Sequence, residues 1–162
     1  GKSFVAPWQG GFGTTLTWKG ISLAAQFSWV ADRWVFNNDR YLDEGNGLFE
    51  TYNQSRRLLY DRWKKPGDVT DIPRYGVTPQ MDSRFLEDAS FLRLKNLMLS
   101  YNFPQALLEK TNFLTYLRVF VQGQNLLTFT KFSGLDPEGV SNMYQAQYPM
   151  SRQFTFGLDF MF

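Results

Sequence analysis

The sequence of 162 residues contains no cysteine and no histidine. The lack of cysteine excludes disulfide bonds, thiolate metal sites and a cysteine nucleophile. The lack of histidine removes the most common general base, a frequent zinc ligand and any Ser-His triad. Only carboxylate, lysine or tyrosine side chains are left for acid-base or nucleophilic chemistry. We therefore expect no enzymatic activity, no catalytic residue, no cofactor and no bound metal.

Long apolar runs are absent as well. No stretch approaches the roughly 18 apolar residues of a transmembrane helix, although the alternating strands of a transmembrane barrel would not produce such a run. Neither sign of charge dominates, because the formal net charge is only +2, and this argues against a nucleic-acid partner. The opening residues, GKSFVAPW, show neither a starting methionine nor a signal-peptide pattern, which predicts a processed chain or a fragment.

The sequence is instead rich in aromatic residues, with 16 Phe, 8 Tyr and 5 Trp. Many of them lie in runs where every second residue is apolar, the spacing of a strand with one apolar face. Residues 12–29 form two such runs, and Lys19 and Gly20 between them suit a two-residue turn. These residues therefore predict a β-hairpin whose second face is small and polar.

Three further strands are predicted toward the end of the sequence. Residues 91–103 require a bulge near Lys95 and Asn96 to keep their apolar side chains on one face. Residues 116–130 alternate between apolar and polar side chains. The last strand carries its apolar residues at Phe154, Phe156, Leu158, Phe160 and Phe162.

The connections between these five strands alternate between short and long. The first long connection, residues 31–90, is predicted to contain a surface helix that ends at Pro66 and Gly67 and packs through Phe49, Tyr52, Leu59 and Trp63. The second long connection, residues 131–150, is rich in turn residues. Short turns on one side of a sheet and long loops on the other are typical of a transmembrane β-barrel.

Periodicity alone leaves two architectures open. A soluble β-sandwich would alternate in the same way and bury its apolar faces as a core. The barrel is favoured because the polar faces carry few Lys and Glu residues, and because Trp18, Trp29, Tyr101 and Phe103 lie near strand ends, as aromatic girdles do. Five strands are too few to close a barrel, for which about eight are needed, so we expect further strands from outside these residues.

Four segments, in their order and spacing, resemble the C-terminal end of SusC/RagA-type TonB-dependent outer-membrane transporters. They are YNQSRRLLYDRWKKPGDVTDIPR, DASFLRLKNLMLSYNFP, LRVFVQGQNLLTFTKFSGLDPE and FTFGLDFMF, and TWKGISL resembles the hairpin before them. The resemblance implies an all-β fold in which residues 1–162 are the C-terminal portion of an antiparallel barrel of about 22 strands. It also implies two long extracellular loops, the first of which contains a helix. The plug domain and the remaining barrel strands of the family have no counterpart in these residues.

The same resemblance implies a function and a set of partners. The whole protein would be a multi-pass β-barrel in the Gram-negative outer membrane, surrounded by outer-membrane lipid, energised through TonB and capped by a SusD-like surface lipoprotein. It would import nutrients, either glycans or oligopeptides. From the residues alone, a soluble aromatic-rich β-module that binds carbohydrate and an outer-membrane barrel enzyme using Asp/Glu chemistry remain alternatives.

Two sets of residues are candidate functional sites. Aromatic side chains in the first long connection suit stacking on sugar rings or contact with a partner protein; they are Trp34, Tyr41, Tyr52, Tyr60, Trp63 and Tyr75. For most of them we favour the competing interpretation, that they pack the loop onto itself. The second set, Phe154, Phe156, Leu158, Phe160 and Phe162, resembles the signal by which the outer-membrane assembly machinery recognises its clients.

The charged residues are expected to have structural roles. Arg93, Lys95 and Arg118 are expected to face the lumen, because a charge on the lipid side is costly. There they would pair with acidic groups of a plug or, as the alternative, guide anionic solutes. The acidic residues are expected to be solvated turns and caps; they are Asp43, Glu44, Glu87, Asp88, Asp136 and Glu138. No calcium-loop pattern surrounds them.

Overall fold

The computed structural model describes residues 1–49, 51–139 and 141–162. The elements are β1 (Trp8–Trp18), β2 (Ile21–Ala31), β3 (Trp34–Asn37), α1 (Asn38–Asp43), α2 (Arg56–Tyr60), β4 (Leu86–Asp88), β5 (Phe91–Asn102), α3 (Gln105–Leu108), β6 (Tyr116–Thr130), β7 (Met143–Tyr144) and β8 (Gln153–Met161). Single 3-10 turns occupy Ser83–Phe85 and Glu109–Thr111. None of the helices in the described ranges has the length and apolarity that crossing a membrane requires.

The chain divides into two compact units. The sheet unit comprises Pro7–Ala31, Ser90–Thr130 and Met150–Phe162. The loop unit comprises Gly1–Ala6, Asp32–Ala89 and Lys131–Pro149. The five long strands predicted from the alternation thus belong to one unit, and the two long connections to the other.

The sheet unit is a five-stranded antiparallel sheet in the order β1-β2-β5-β6-β8, which confirms the predicted strands. The β1–β2 turn has positive φ at both Lys19 (46°) and Gly20 (87°), the combination that a type I′ hairpin turn needs. Glycine is required at the second position for another reason, because a Cβ there would lie 2.7 Å from the carbonyl oxygen of Asn102.

Bulges bring the apolar side chains of neighbouring strands onto the same face. The pairing of β2 with β5 shifts between Gln26 and Phe27, with Lys95 as the inserted residue, so the predicted bulge is confirmed. At the same level β6 carries two residues, Asn125 and Leu126, opposite that single residue of β5. The backbone of Asn125 adopts a positive φ of 53°, which asparagine tolerates better than most residues.

The loop unit contains a second, three-stranded sheet in the order β4-β3-β7. β3 runs antiparallel to β4 and parallel to β7, so segments from the two long connections share one sheet. A small core lies beside it, made of Val35, Ala89, Phe132 and Tyr144, with Phe4 packed against it. The short strands and helix α1 were not predicted, because stretches of two to six residues are too short to display a period.

The predicted helix of the first connection exists but is shorter than expected. α2 begins after Ser55, whose hydroxyl accepts a hydrogen bond from the amide of Arg57, and Leu58 is its buried residue. The prediction that Leu59 lies on the packed side was wrong, since Leu59 is exposed. The chain turns before Pro66 because the carboxylate of Asp68 accepts the amides of Lys64 and Lys65.

Candidate functional site

One face of the five-stranded sheet is apolar and exposed. Its cross-strand rows are Leu16-Leu23-Leu99-Val121-Phe156 and Trp18-Ile21-Tyr101-Val119-Leu158. Leu16 is 63% exposed and Phe156 is 78% exposed. A sandwich would bury such rows, whereas isolated soluble domains rarely leave so large a contiguous apolar surface open. The face therefore matches the predicted lipid-facing side of a barrel.

The opposite face of the sheet carries mostly polar or small residues, together with Met98 and Phe120. Gln122 donates a hydrogen bond to Asn96 Oδ1 over 2.7 Å, and Arg118 lies 3.7 Å from a carboxylate oxygen of Asp159. This contact lies within the sheet itself, and the expected pairing with acidic groups of a plug stays a prediction. Gly157 lies beneath the ring of Phe120, because a Cβ at this position would approach the ring to 2.3 Å.

In the loop unit, two arginines and two carboxylates form a closed ring of ion pairs. Arg40 contacts Glu44 over 2.9 Å and Asp71 over 3.0 Å. Arg57 contacts the same two carboxylates over 2.6 and 2.8 Å. Glu87 joins the ring through Arg40 over 3.2 Å. The ring connects α1, α2, β4 and the segment before the 3-10 turn, and Glu44 at its centre is only 1% exposed.

The pKa values of the ring follow from burial and from these pairs. Partial burial would raise the pKa of Asp71, but the hydrogen bond and charge of Arg57, together with Arg40, hold it below its ordinary value. Burial would also raise the pKa of Glu87, and hydrogen bonds from Ser133 and Arg40 lower it. Asp43 differs, because burial and the nearby charges of Asp39 and Glu44 raise its pKa. The lowered pKa values favour the ionised forms of Asp71 and Glu87, whose ion pairs hold separate segments of the loop unit together.

A polar cavity of about 620 Å³ adjoins the ring. Arg40, Glu44, Arg57 and Glu87 line it, together with Ser133 of the second long connection. Among the residues that the structure describes, no three acidic side chains are grouped so that they could hold a metal ion. The ring consists of fixed, mutually neutralising charges, and this arrangement suits a structural role rather than proton transfer.

The prediction that the acidic residues are solvated was wrong for Glu44 and Asp136, which are buried, and for Glu87, whose side chain is 13% exposed. The ring itself was not anticipated from the sequence. Its one local signal is the four-residue spacing of Arg40 and Glu44, which places both on one side of a helix. The other partners are 13 to 47 positions apart, beyond the reach of any helical pattern.

Two of the predicted aromatic contact residues pack within the loop unit. The ring of Tyr41 meets Phe85 edge-on at 5.3 Å and also contacts Phe36 and Phe49. The indole nitrogen of Trp34 donates to Asp32, and the ammonium of Lys2 lies 3.8 Å from its ring centroid. These contacts match the packing interpretation.

The remaining aromatic candidates lie nearer the surface. Trp63 is half-buried, with its backbone amide bonded to Ile72. Tyr52, Tyr60 and Tyr75 are exposed. The guanidinium groups of Arg56 and Arg62 lie against the rings of Tyr60 and Tyr75 at 5.6 and 5.3 Å. The structure does not gather the six candidates into one site.

The predicted assembly signal lies on the exposed face of β8 and just beyond it. Phe154, Phe156, Leu158, Phe160 and Phe162 are all exposed. Phe162 follows the strand, stacks on Phe113 at a ring distance of 6.1 Å and meets Phe160 edge-on at 5.4 Å. Their role in assembly stays a prediction.

Comparisons with known proteins place this arrangement among membrane receptors. No protein-family model matches the chain. TonB-dependent receptor P26 of Formosa agariphila is 30% identical over 171 residues, which cover 94% of this chain and 16% of that protein. TonB-dependent receptor SusC of Bacteroides thetaiotaomicron is 35% identical over 87 residues, covering 54% and 9% respectively. The RagAB peptide importer in its open-open state is 42% identical with a TM-score of 0.91, covering 99% of this chain and 18% of that chain.

The antiparallel sheet with its exposed apolar face and these similarities define the class as the TonB-dependent receptors. Within that class, the chain belongs to the SusC/RagA-type TonB-dependent transporters. It spans less than a fifth of the length of each of these relatives. The predicted all-β barrel fold is confirmed, although the strands of this chain alone do not close a barrel.

Proposed function

We propose that residues 1–162 form the C-terminal portion of an outer-membrane β-barrel that imports nutrients with the help of TonB and a SusD-like surface lipoprotein. The supporting observation is the set of exposed apolar rows that crosses all five long strands. In this role the apolar face contacts lipid, the polar face lines the lumen, and the loop unit lies on the extracellular side.

Oligopeptides are the favoured substrate class. The support is the similarity over nearly the whole chain to RagAB, a peptide importer. Glycans are the second candidate, because Tyr52, Tyr60 and Tyr75 expose rings of the kind that stack on sugars.

Arginine substitutions on the two faces of β8 test the membrane role. In the full-length protein, Phe156→Arg places a charge on the proposed lipid side, which costs about 2–4 kcal/mol near the middle of the bilayer. Thr155→Arg is the matched control, because it places the same charge on the polar side of the same strand. We expect the first variant to be depleted from outer membranes and the second to accumulate nearly as wild type. Equal levels would argue for a soluble module and against the barrel.

The partner and the substrate require a separate experiment. The full-length protein, tagged and extracted from outer membranes in mild detergent, should copurify with a surface lipoprotein identified by mass spectrometry. Cells should accumulate labelled oligopeptides only when TonB is present. Uptake of labelled glycans alone would favour the second candidate, and chemical turnover of the bound ligand would support the barrel enzyme.

A further inference from the structure

The loop unit contains a second cavity that the ring of ion pairs does not use. It measures about 590 Å³, and its lining includes Arg56, Arg62, Tyr75, Leu59, Gln54 and Asn46. All of these residues come from the first long connection. Two cations, an aromatic ring and an aliphatic side chain therefore surround one concave space.

The aromatic wall of this cavity is held in place by a tight turn. Asn46 and Gly47 both have positive φ, 50° and 98°. The side-chain amide of Asn46 donates to the carbonyl oxygens of Arg74 and Val77 over 2.6 and 3.0 Å, and so fixes the segment that carries Tyr75. A Cβ at Gly47 would lie 3.3 Å from the ring of Tyr75, which leaves little room for any larger residue. The wall is thus formed before any ligand arrives.

The charge of the cavity is positive. None of its described lining residues is acidic, and within the described part of the chain neither Arg56 nor Arg62 has a carboxylate within salt-bridge distance. Both guanidinium groups lie against tyrosine rings. A guanidinium that stacks on a ring through its flat face keeps its in-plane N–H groups available, and these groups can bind a carboxylate through two parallel hydrogen bonds.

We propose that this cavity binds the carboxylate of an oligopeptide ligand, with the neighbouring apolar side chain of the peptide packed on Tyr75 and Leu59. Arg56 and Arg62 supply the hydrogen-bond donors, and the side chain of the buried Asn46 holds the segment that carries Tyr75 in place. The proposal rests on the proposed function, because it assigns a ligand group to an importer of oligopeptides.

A pair of peptides that differ in one group tests the proposal. The probes are acetyl-Gly-Gly-Leu-Phe with a free C-terminal carboxylate and the same peptide as its amide. Binding is measured by calorimetry on the full-length transporter, purified with its lipoprotein in detergent. We expect the free acid to bind roughly 10-fold more tightly, since charge-assisted hydrogen bonds are about twice as strong as neutral ones.

Arginine variants then test whether the preference for the free acid arises in this cavity. The double variant Arg56→Gln/Arg62→Gln should bind acid and amide equally and bind the amide as the wild type does. Lys65→Gln is the matched control for loss of nearby charge, because Lys65 lines a different cavity; it should keep the preference. Resistance of the folded barrel to SDS at room temperature verifies that each variant is folded.

The outcomes separate this proposal from the proposed function. Equal binding of acid and amide to the wild type, or a preference that survives the double variant, would overturn the cavity assignment and leave the importer intact. Absence of binding of both peptides would overturn the oligopeptide function and this proposal together. Binding of an oligouronate that the double variant abolishes, with no binding of either peptide, would reassign the cavity to an acidic glycan.

Discussion

Replacing Glu44 by glutamine should loosen the loop unit while leaving the strands of the sheet unit unchanged. Glu44 accepts hydrogen bonds from Arg40 over 2.9 Å and from Arg57 over 2.6 Å, and it separates two cations that would otherwise repel. Breaking a fully buried ion pair costs about 3–5 kcal/mol. Because the side chains of Arg40 and Arg57 are 21% and 38% exposed, water replaces part of the lost interaction, and we expect about 2–3 kcal/mol.

Hydrogen-deuterium exchange on the full-length protein in detergent measures this change locally. The amide of Glu44 bonds to the carbonyl of Arg40, and that of Asp61 to the carbonyl of Arg57, so these amides report opening at α1 and α2. A loss of 2–3 kcal/mol corresponds to exchange that is roughly 30- to 140-fold faster. Exchange along β5 and β6 should not change, and it serves as an internal reference.

Asp61→Asn is the matched control, because it also converts a carboxylate partner of Arg57 to an amide. Its contact with Arg57 is 3.6 Å long and exposed, and such pairs contribute about 0–1 kcal/mol. The reasoning would be refuted if Glu44→Gln accelerated exchange at the Glu44 amide by less than about threefold, or by no more than the control does.

Three further predictions follow from the geometry. Gly157→Val should destabilise the barrel by about 1–3 kcal/mol in urea unfolding, because the new side chain meets the ring of Phe120; adding Phe120→Ala should recover most of the loss, and an additive result would contradict the contact. The lowered pKa values of Asp71 and Glu87 mean that their contribution to stability is complete above the ordinary carboxylate range and is lost as the pH falls through the lowered values. The thermal-midpoint difference between wild type and Glu87→Gln should therefore shrink in acid; a constant difference would count against the assignment. Deleting Phe162 should reduce outer-membrane levels more than ligand affinity, and normal levels would exclude it from the assembly signal.

The long strands could be predicted because their information is local. Alternation is visible within one strand, and even the bulge at Lys95 followed from a change of parity between Leu94 and Leu97. The two-residue turn at Lys19 and Gly20 could also be predicted from local sequence, since the turn needs positive φ and glycine adopts it readily.

The loop unit was less predictable because its structure depends on partners distant in the sequence. Nothing local in Asp71 or Glu87 shows that both meet Arg40, which lies 31 and 47 positions away. The packed side of α2 was misassigned for a similar reason, since a five-residue helix offers too few positions to establish which of Leu58 and Leu59 is buried.

The parallel pairing of β3 with β7 has a mechanical consequence. It is reinforced where the side-chain amide of Asn37 donates to the hydroxyl of Ser133, and where the carboxylate of Asp39 accepts the amide of Ala146. These bonds join two connections that are separated along the chain by β5 and β6. A force applied to either connection is therefore transmitted to the other without passing through the strands between them. We therefore expect the two connections to move together as one body.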